Sequence, residues 1–356
     1  MEEFTLEQLL QAVISYKASD LHLVNGTEPQ IRLDGSLVPM QLPKLNSQKI
    51  QQLCYSLISE NQKKRFEEHR ELDFAFTVGD GGRFRANYYY ERDSIAAAFR
   101  IIPTKIPTLD DLNLPAIFKD LVKKERGLIL VTGPTGSGKS TTLASMLNEI
   151  NINESKHIIT VEDPIEFNHT HKQSIFSQRS VGDDTESFAA ALKYALRQDP
   201  DVILIGEMRD VETIRAAITA AETGHLVFGT LHTNSAVSTI NRIINVFPAA
   251  EQALIRTQLS MSLNAVISQA LLPRIGGGRV AVQEILINNP AIANLVREDK
   301  LQQVYAQMQL NQAKTGMQTQ AQVLTQLVKN RIVKKDHAMR VSTSYEELEK
   351  ALMAVL

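Results

Sequence analysis

Tryptophan is absent from this chain of 356 residues, and cysteine occurs once, at Cys54. One cysteine excludes an intramolecular disulfide and any Cys-rich zinc module; between Leu53 and Tyr55 its expected place is as a small filler in a core. Long basic blocks are missing too: 38 Lys and Arg against 40 Asp and Glu leave a formal charge of -2. The chain therefore lacks the basic stripe with which a protein tracks a nucleic acid, and no nucleic-acid partner is expected. No run approaches the ~18 apolar residues needed to cross a bilayer. MEEFTLEQLL has neither the basic start nor the apolar stretch of a secretory signal. These absences predict a cytoplasmic protein without direct membrane insertion, meeting a membrane only peripherally through a partner.

What is present reads as two domains. Thr5 with Gln8 resembles a capping box, and Leu6, Leu9, Leu10 and Val13 recur at helical spacing. The runs DLHLV, QIRLDGSLVPM, LDFAFTVG, RFRANYYYE and IAAAFRII alternate between Gly, Asp and Pro breaks, as strands of an antiparallel sheet do. An α+β domain over residues 1–100 follows from this pattern. IPTKIPTLDDLNLP, from 102 to 115, carries three prolines and reads as a stiff linker, with bounds set at residues 101–114. From 115 to 356 the pattern changes: GLILVTG, HIITVED, DVILIGE and HLVFGTLH alternate with helical stretches, predicting an α/β domain with a parallel sheet and crossover helices. The last hundred residues read as mostly helical, with a helical C-terminal region from about 270 and Ser344 with Glu347 as a cap for the final helix.

GPTGSGKS, residues 133–140, matches G-x-x-x-x-G-K-[ST], and it lies between an apolar strand and a helix. That context makes it a phosphate loop. Gly133, Pro134, Thr135, Gly136, Ser137, Gly138, Lys139, Ser140 and Thr141 form the predicted nucleotide-binding set. The glycines admit close backbone N–H groups, the helix N-terminus favours phosphate charge, Lys139 reaches the β- and γ-phosphates, and Ser140 ligates Mg²⁺. ATP and Mg²⁺ are the expected cofactors.

Hydrolysis needs a group to orient or deprotonate water and charges that stabilise the transition state. Carboxylates at the carboxyl ends of parallel strands face the ligand crevice. VEDPIEF offers Glu162, Asp163 and Glu166; GEMRD offers Glu207 and Asp210, with Arg209 between them. Gly206 and Glu207 stand where most phosphate-loop ATPases close the strand with Asp, so Glu207 meets magnesium through water or orients the site. Arg83, Arg85, Arg92 and Arg100 lie on or beside the last strands of the first domain; exposed arginines of this kind are ordinarily solvated or paired.

ASDLHL, GPTGSGKST, VEDPIEF, DPDVILIGEMRD, AAETGHLVFGTLHT and GMQTQAQVL together resemble the secretion ATPases of type IV pilus and type II secretion systems, most closely their pilus-retraction (PilT) branch. The resemblance runs in order from about residue 5 to residue 350. It implies a PAS-like N-terminal domain, a RecA-like ATPase domain, and a homohexamer with ATP between the two domains. It further implies a motor powering pilus retraction and twitching motility through an inner-membrane platform protein (PilC-like), with a second retraction ATPase as a further partner. By the same resemblance Glu166 is the general base, Glu207 the Walker B acid, residues 224–236 the His box, and an arginine of the first domain a finger on the phosphates, with Arg100 and Arg85 the candidates. The family's AIRNLIRE motif falls on residues 291–298, here AIANLVRE: Arg297 is kept, while Ala293 replaces an arginine and Val296 an isoleucine. Primary motor and accessory, PilU-like motor therefore both stand. Assembly-type relatives usually carry a four-cysteine module that this chain cannot build. A RecA-like translocase and a purely regulatory nucleotide module are readings from other classes.

His225 and His232 flank the apolar run LVFGTL. In a strand, seven residues span roughly 23 Å and end on opposite faces, so one shared metal is excluded. His232, at the carboxyl end beside Thr233, is the expected γ-phosphate or water sensor. His225 is expected to support the strand's far end or a subunit contact.

Overall fold

The computed structural model describes residues 4–33, 36–79, 82–102, 105–310 and 312–354. Two compact units emerge: Met1–Lys105 with Asp163–Asn168, and Ile106–Glu162 with His169–Leu356.

The first unit opens on α1 (Leu6–Ser15), β1 (Asp20–Leu23), β2 (Gln30–Leu33) and β3 (Ser36–Pro39). It continues with α2 (Ser47–Tyr55), α3 (Glu60–His69), β4 (Glu71–Val78), β5 (Gly82–Glu91) and β6 (Ser94–Ile102). The expected box at Thr5 forms: Gln8 N–H donates to Thr5 Oγ1 and Thr5 N–H to Gln8 Oε1. The antiparallel sheet has the order β3-β2-β1-β6-β5-β4. Arg92 and Asp93 take positive φ, 48° and 60°, so a two-residue turn of the mirror-image type links β5 to β6. Leu10, Val13, Leu21, Phe66, Phe84, Tyr88 and Phe99 fill one core. Cys54 is part of it, and burial pushes its thiol up to about 12, which leaves it an inert filler. The sequence reading did not anticipate α2, which buries Ile50, Leu53 and Cys54, or α3, which buries only Phe66. In α3 a stripe one residue wide gives no period to read; a Ser59–Gln62 capping box forms at its start.

The second unit begins with α4 (Ile117–Leu121), β7 (Gly127–Thr132), α5 (Lys139–Asn153), β8 (His157–Glu162) and β9 (Ile175–Ser180). Next come α6 (Phe188–Ala195), β10 (Val202–Ile205), α7 (Val211–Glu222), β11 (Leu226–Leu231), α8 (Ala236–Asn245) and α9 (Ala249–Ser262). Then follow β12 (Leu263–Pro273), β13 (Arg279–Ile287), α10 (Pro290–Arg297), α11 (Val304–Met308), α12 (Gln312–Thr315), α13 (Gln320–Lys329), α14 (Lys335–Val341) and α15 (Tyr345–Met353). Its sheet has the order β13-β12-β7-β11-β10-β8-β9, parallel except for the edge strand β13. Side chains of one strand serve two cores: Leu128 and Leu130 of β7 face α7 and α8, whereas Ile129 and Val131 face α5. Burial on both faces explains why β7, β10 and β11 read as unbroken apolar runs.

Two expectations are corrected. The helical C-terminal region starts later than expected: β12 and β13, of 11 and 9 residues, first extend the sheet, and the run of helices begins at Pro290. A long two-sided strand imitates a buried helix in period, which is why the sequence misled. Ser344 stands at the N-cap of α15 but makes no side-chain cap; Glu347 instead accepts from Tyr305 and Gln309. The prolyl segment also packs: Leu109 is 2% exposed and lies in the core with Phe118 and Ile129, while Pro103 and Thr104 fall outside the described residues.

Candidate nucleotide site

The phosphate loop leaves β7 at Thr132 and enters α5 at Lys139. Positive φ at Gly133 (138°), Gly136 (79°) and Gly138 (89°) shapes it, values that L side chains rarely adopt. Gly138 occupies the N-cap of α5 without a side-chain cap, so no side chain competes for the helix's first N–H groups. Lys139 Nζ donates to the carbonyls of Gly133 at 2.8 Å and Pro134 at 3.1 Å, which holds the ammonium over the loop. Pro134, Thr135 and Gly136 form an exposed tip, Ser137 is buried, and Ser140 and Thr141 sit half-buried in the first helical turn. A backbone cradle, a free helix N-terminus, a lysine and a hydroxyl suit a nucleoside triphosphate with its Mg²⁺; Ser140 would hold the metal, with Glu207 assisting.

The neighbouring strands bring the other predicted residues to the same sheet edge. Leu231 pairs with Thr132, so His232 follows β11 beside the root of the loop. One strand further, Ile205 of β10 pairs with Gly229 of β11, and Glu207 follows. His232 Nε2 lies 3.1 Å from Glu207 Oε1. Arg209 pairs with the same carboxylate oxygen. Thr230 Oγ1 donates to Gly206 O at 2.5 Å, and Met208 N–H to Thr230 O, so β11 fixes the turn that carries Glu207. A hydroxyl chain ties the roots together: Thr132 Oγ1 is 3.4 Å from Thr239 Oγ1, which is 2.7 Å from Thr233 Oγ1.

Other predicted residues have different employments. Asp210 caps α7 by accepting from Thr213 N–H and hydroxyl. Burial raises its pKa, but those bonds outweigh burial and the net shift is downward. Its carboxylate is thus committed to the helix. Glu162 accepts from Thr160 and Gln178 at the end of β8. His225 Nδ1 lies 3.0 Å from Ala220 O, a structural bond at the entry of β11, far along the strand from His232. Arg297 is exposed and donates to Asn294 Oδ1 at 2.7 Å on α10.

Glu166 belongs to the first unit, in the segment Asp163–Asn168. There Arg83 donates to Ile165 O at 2.9 Å and Arg85 stands 3.7 Å from Glu166 and 3.8 Å from Asp73. Across the sheet Arg85 pairs with Arg100, whose Nε donates to Asp20 Oδ1 at 2.8 Å. Arg92 lies in the β5–β6 turn and lines a small cavity with Glu91 and Ser94. No cluster of metal-ligating side chains occurs among the described residues, and none of their helices is long and apolar enough to cross a membrane.

The sequence model for the type II/IV secretion system proteins matches residues 1–276. The chain belongs to this family. Among its relatives, the type IV pilus retraction ATPase PilT of Pseudomonas aeruginosa is 50% identical over 333 residues, covering 94% of this chain and 96% of that protein. The type IV pilus ATPase PilU of the same organism is 41% identical over 90% of this chain and 84% of its own length. A crystal structure of the pilus retraction motor PilT with bound ADP superimposes with a TM-score of 0.91 at 51% identity, covering 98% of this chain and all of that one.

For a type II/IV secretion family chain, the sequence reading missed the residues that support the site rather than line it. Gln269, Gln283 and Thr142 are buried polar groups behind the phosphate loop, and Thr239 bridges two strand ends. For Gln269 and Gln283 the signal was polarity inside apolar runs, as in AVISQALLP, where a buried amide demands partners.

Proposed function

We propose that this chain is an ATP-hydrolysing motor that powers type IV pilus retraction and twitching motility. It works as a cytoplasmic homohexamer, held peripherally at the inner membrane by a PilC-like platform protein and joined by a second retraction ATPase. The observation that carries the reading is the His232–Glu207 pair set beside an intact phosphate loop on adjacent strand ends, in a chain half identical to a retraction ATPase along almost its full length. In this reading residues 1–100 are a PAS-like domain, 101–114 a linker, and 115–356 a RecA-like ATPase domain.

ATP with Mg²⁺ supplies the γ-phosphate and its counter-charge. Loop amides and Lys139 bind and orient the phosphates, and Ser140 and Glu207 are the residues that would hold the metal, whose charge would offset that of the phosphates. Glu166 takes the proton of the attacking water, and its neighbour Arg85, 3.7 Å away, orients its carboxylate. His232 senses the γ-phosphate end through Glu207. Arg100 and Arg85 are the finger candidates, a role that typically contributes about 10³ to 10⁵ in rate.

Ala293, where the family motif has arginine, favours a second reading as an accessory, PilU-like motor, against the higher identity to PilT. Gene deletion separates them. A primary motor leaves surface pili that no longer retract; an accessory motor shows little loss while its partner is present. Normal retraction in a strain lacking both motors would rule out the proposal.

A further inference from the structure

Gln269 lies on β12, the strand beside β7, and is 4% exposed. Its Nε2 donates to Ser137 O at 2.7 Å, within the phosphate loop. Its Oε1 accepts from Thr142 Oγ1 at 2.9 Å, in the first turn of α5, and from Gln283 Nε2 at 3.3 Å. The loop's glycines are shaped around it: a Cβ at Gly133 would stand 2.1 Å from Gln269 O, and one at Gly138 would stand 2.8 Å from its Nε2. One residue thus touches both ends of the loop and fastens its carbonyl and its helix together. Behind it, Gln283 of β13 is its cross-strand partner. Gln318 of the GMQTQ turn donates to Gln283 O at 2.8 Å and exchanges both backbone hydrogen bonds with Ile285.

We propose that Gln269 is a positioning residue of the phosphate loop, held in register by Gln283 and, through β13, by the GMQTQ turn. The inference rests on the nucleotide-binding reading. A trans peptide sets its C=O and N–H on opposite sides, so turning Ser137 O inward toward Gln269 turns the Gly138 N–H of the same peptide away from it, as a phosphate cradle needs. A buried amide bonded through both its oxygen and its nitrogen also has few low-energy arrangements, which makes it a rigid brace. Apolar side chains of equal length would fill the space and release the loop.

The test compares Gln269→Met, Gln283→Met and Ile267→Val with the parent chain, using labelled ADP for affinity and steady-state ATP turnover for kcat and KM. Gln269→Met should raise the ADP Kd and the ATP KM about tenfold, the equivalent of one or two lost hydrogen bonds, with kcat changed less than about threefold. Gln283→Met should raise the ADP Kd about threefold, since it loosens Gln269 without touching the loop. Ile267→Val trims the same strand's core and should lower the unfolding midpoint while leaving ADP affinity intact. An unchanged ADP Kd in folded Gln269→Met overturns the proposal, as does an equal rise in Ile267→Val. Should Gln269→Met fail to fold, Gln283→Met decides by the same criterion. Failure of the parent chain to bind ADP would instead overturn the nucleotide-binding reading itself.

Discussion

His232 and Glu207, carried by the loops after β11 and β10, meet at 3.1 Å, with His232 half exposed and Glu207 mostly enclosed. They stand far apart in sequence, and the parallel pairing of the two strands brings them together. A sensor hydrogen-bonded to an acid should affect chemistry more than binding. His232→Ala is therefore expected to cut turnover about a hundredfold, the scale of one lost transition-state contact, with ADP affinity retained. His225→Ala should stay within about threefold, because its bond to Ala220 O supports a helix end. Equal effects in parallel turnover assays would contradict this division.

The glycines of the loop should differ in tolerance. Gly133→Ala forces a Cβ against the main chain at Gln269 O, whereas Gly136→Ala meets open space and bears only the strain of its positive φ. That strain alone costs about 1–2 kcal/mol. ADP affinity should fall much further in Gly133→Ala than in Gly136→Ala, and a titration ranking them the other way would refute the described loop.

Much of this site was legible in the sequence, and the reason is physical. Phosphate chemistry needs glycine, lysine and hydroxyl at fixed offsets, so residues 133–141 announced themselves. Parallel strands with two buried faces gave the runs that became β7, β8, β10 and β11. The same property hid β12 and β13, and α3, with one buried residue, offered no stripe. Asp210 looked catalytic by its place at a strand end but is occupied by the cap of α7, a local geometry that composition does not reveal. Glu166 was legible as a candidate base; that its segment groups with the first unit depends on Arg83 and Arg85, distant in sequence.

His169 predicts a pH dependence. Its ring stacks on Phe176 at 4.3 Å, and burial, aided by Lys172, lowers its pKa to about 4. The unfolded chain takes up this proton near pH 6.5, the folded chain only near 4, so stability is full above 6.5 and falls as pH drops between these values. The loss amounts to about 3 kcal/mol across the window. Thermal unfolding from pH 7 to 4 should show that slope, and His169→Phe should flatten it.

Asp20 contributes with the same sign at lower pH. Burial raises its pKa, but bonds from Ser19 and Arg100 outweigh it and hold the carboxyl below its ordinary value. Its contribution is present above the unfolded value near 3.9 and disappears as pH falls through the lower folded value. Asp20→Asn should therefore cost about 1.5–3 kcal/mol at neutral pH, and denaturant titrations should show the difference shrinking in acid. A difference that grows in acid would contradict the assigned pairing.

Phosphate release from Mg²⁺-ATP by the purified chain tests the central claim most directly, measured side by side with Glu166→Gln. The account predicts steady turnover by the parent chain, and turnover reduced by at least about a hundredfold in Glu166→Gln with ADP affinity preserved. Absence of turnover in a correctly assembled parent chain, or full turnover in Glu166→Gln, would contradict it.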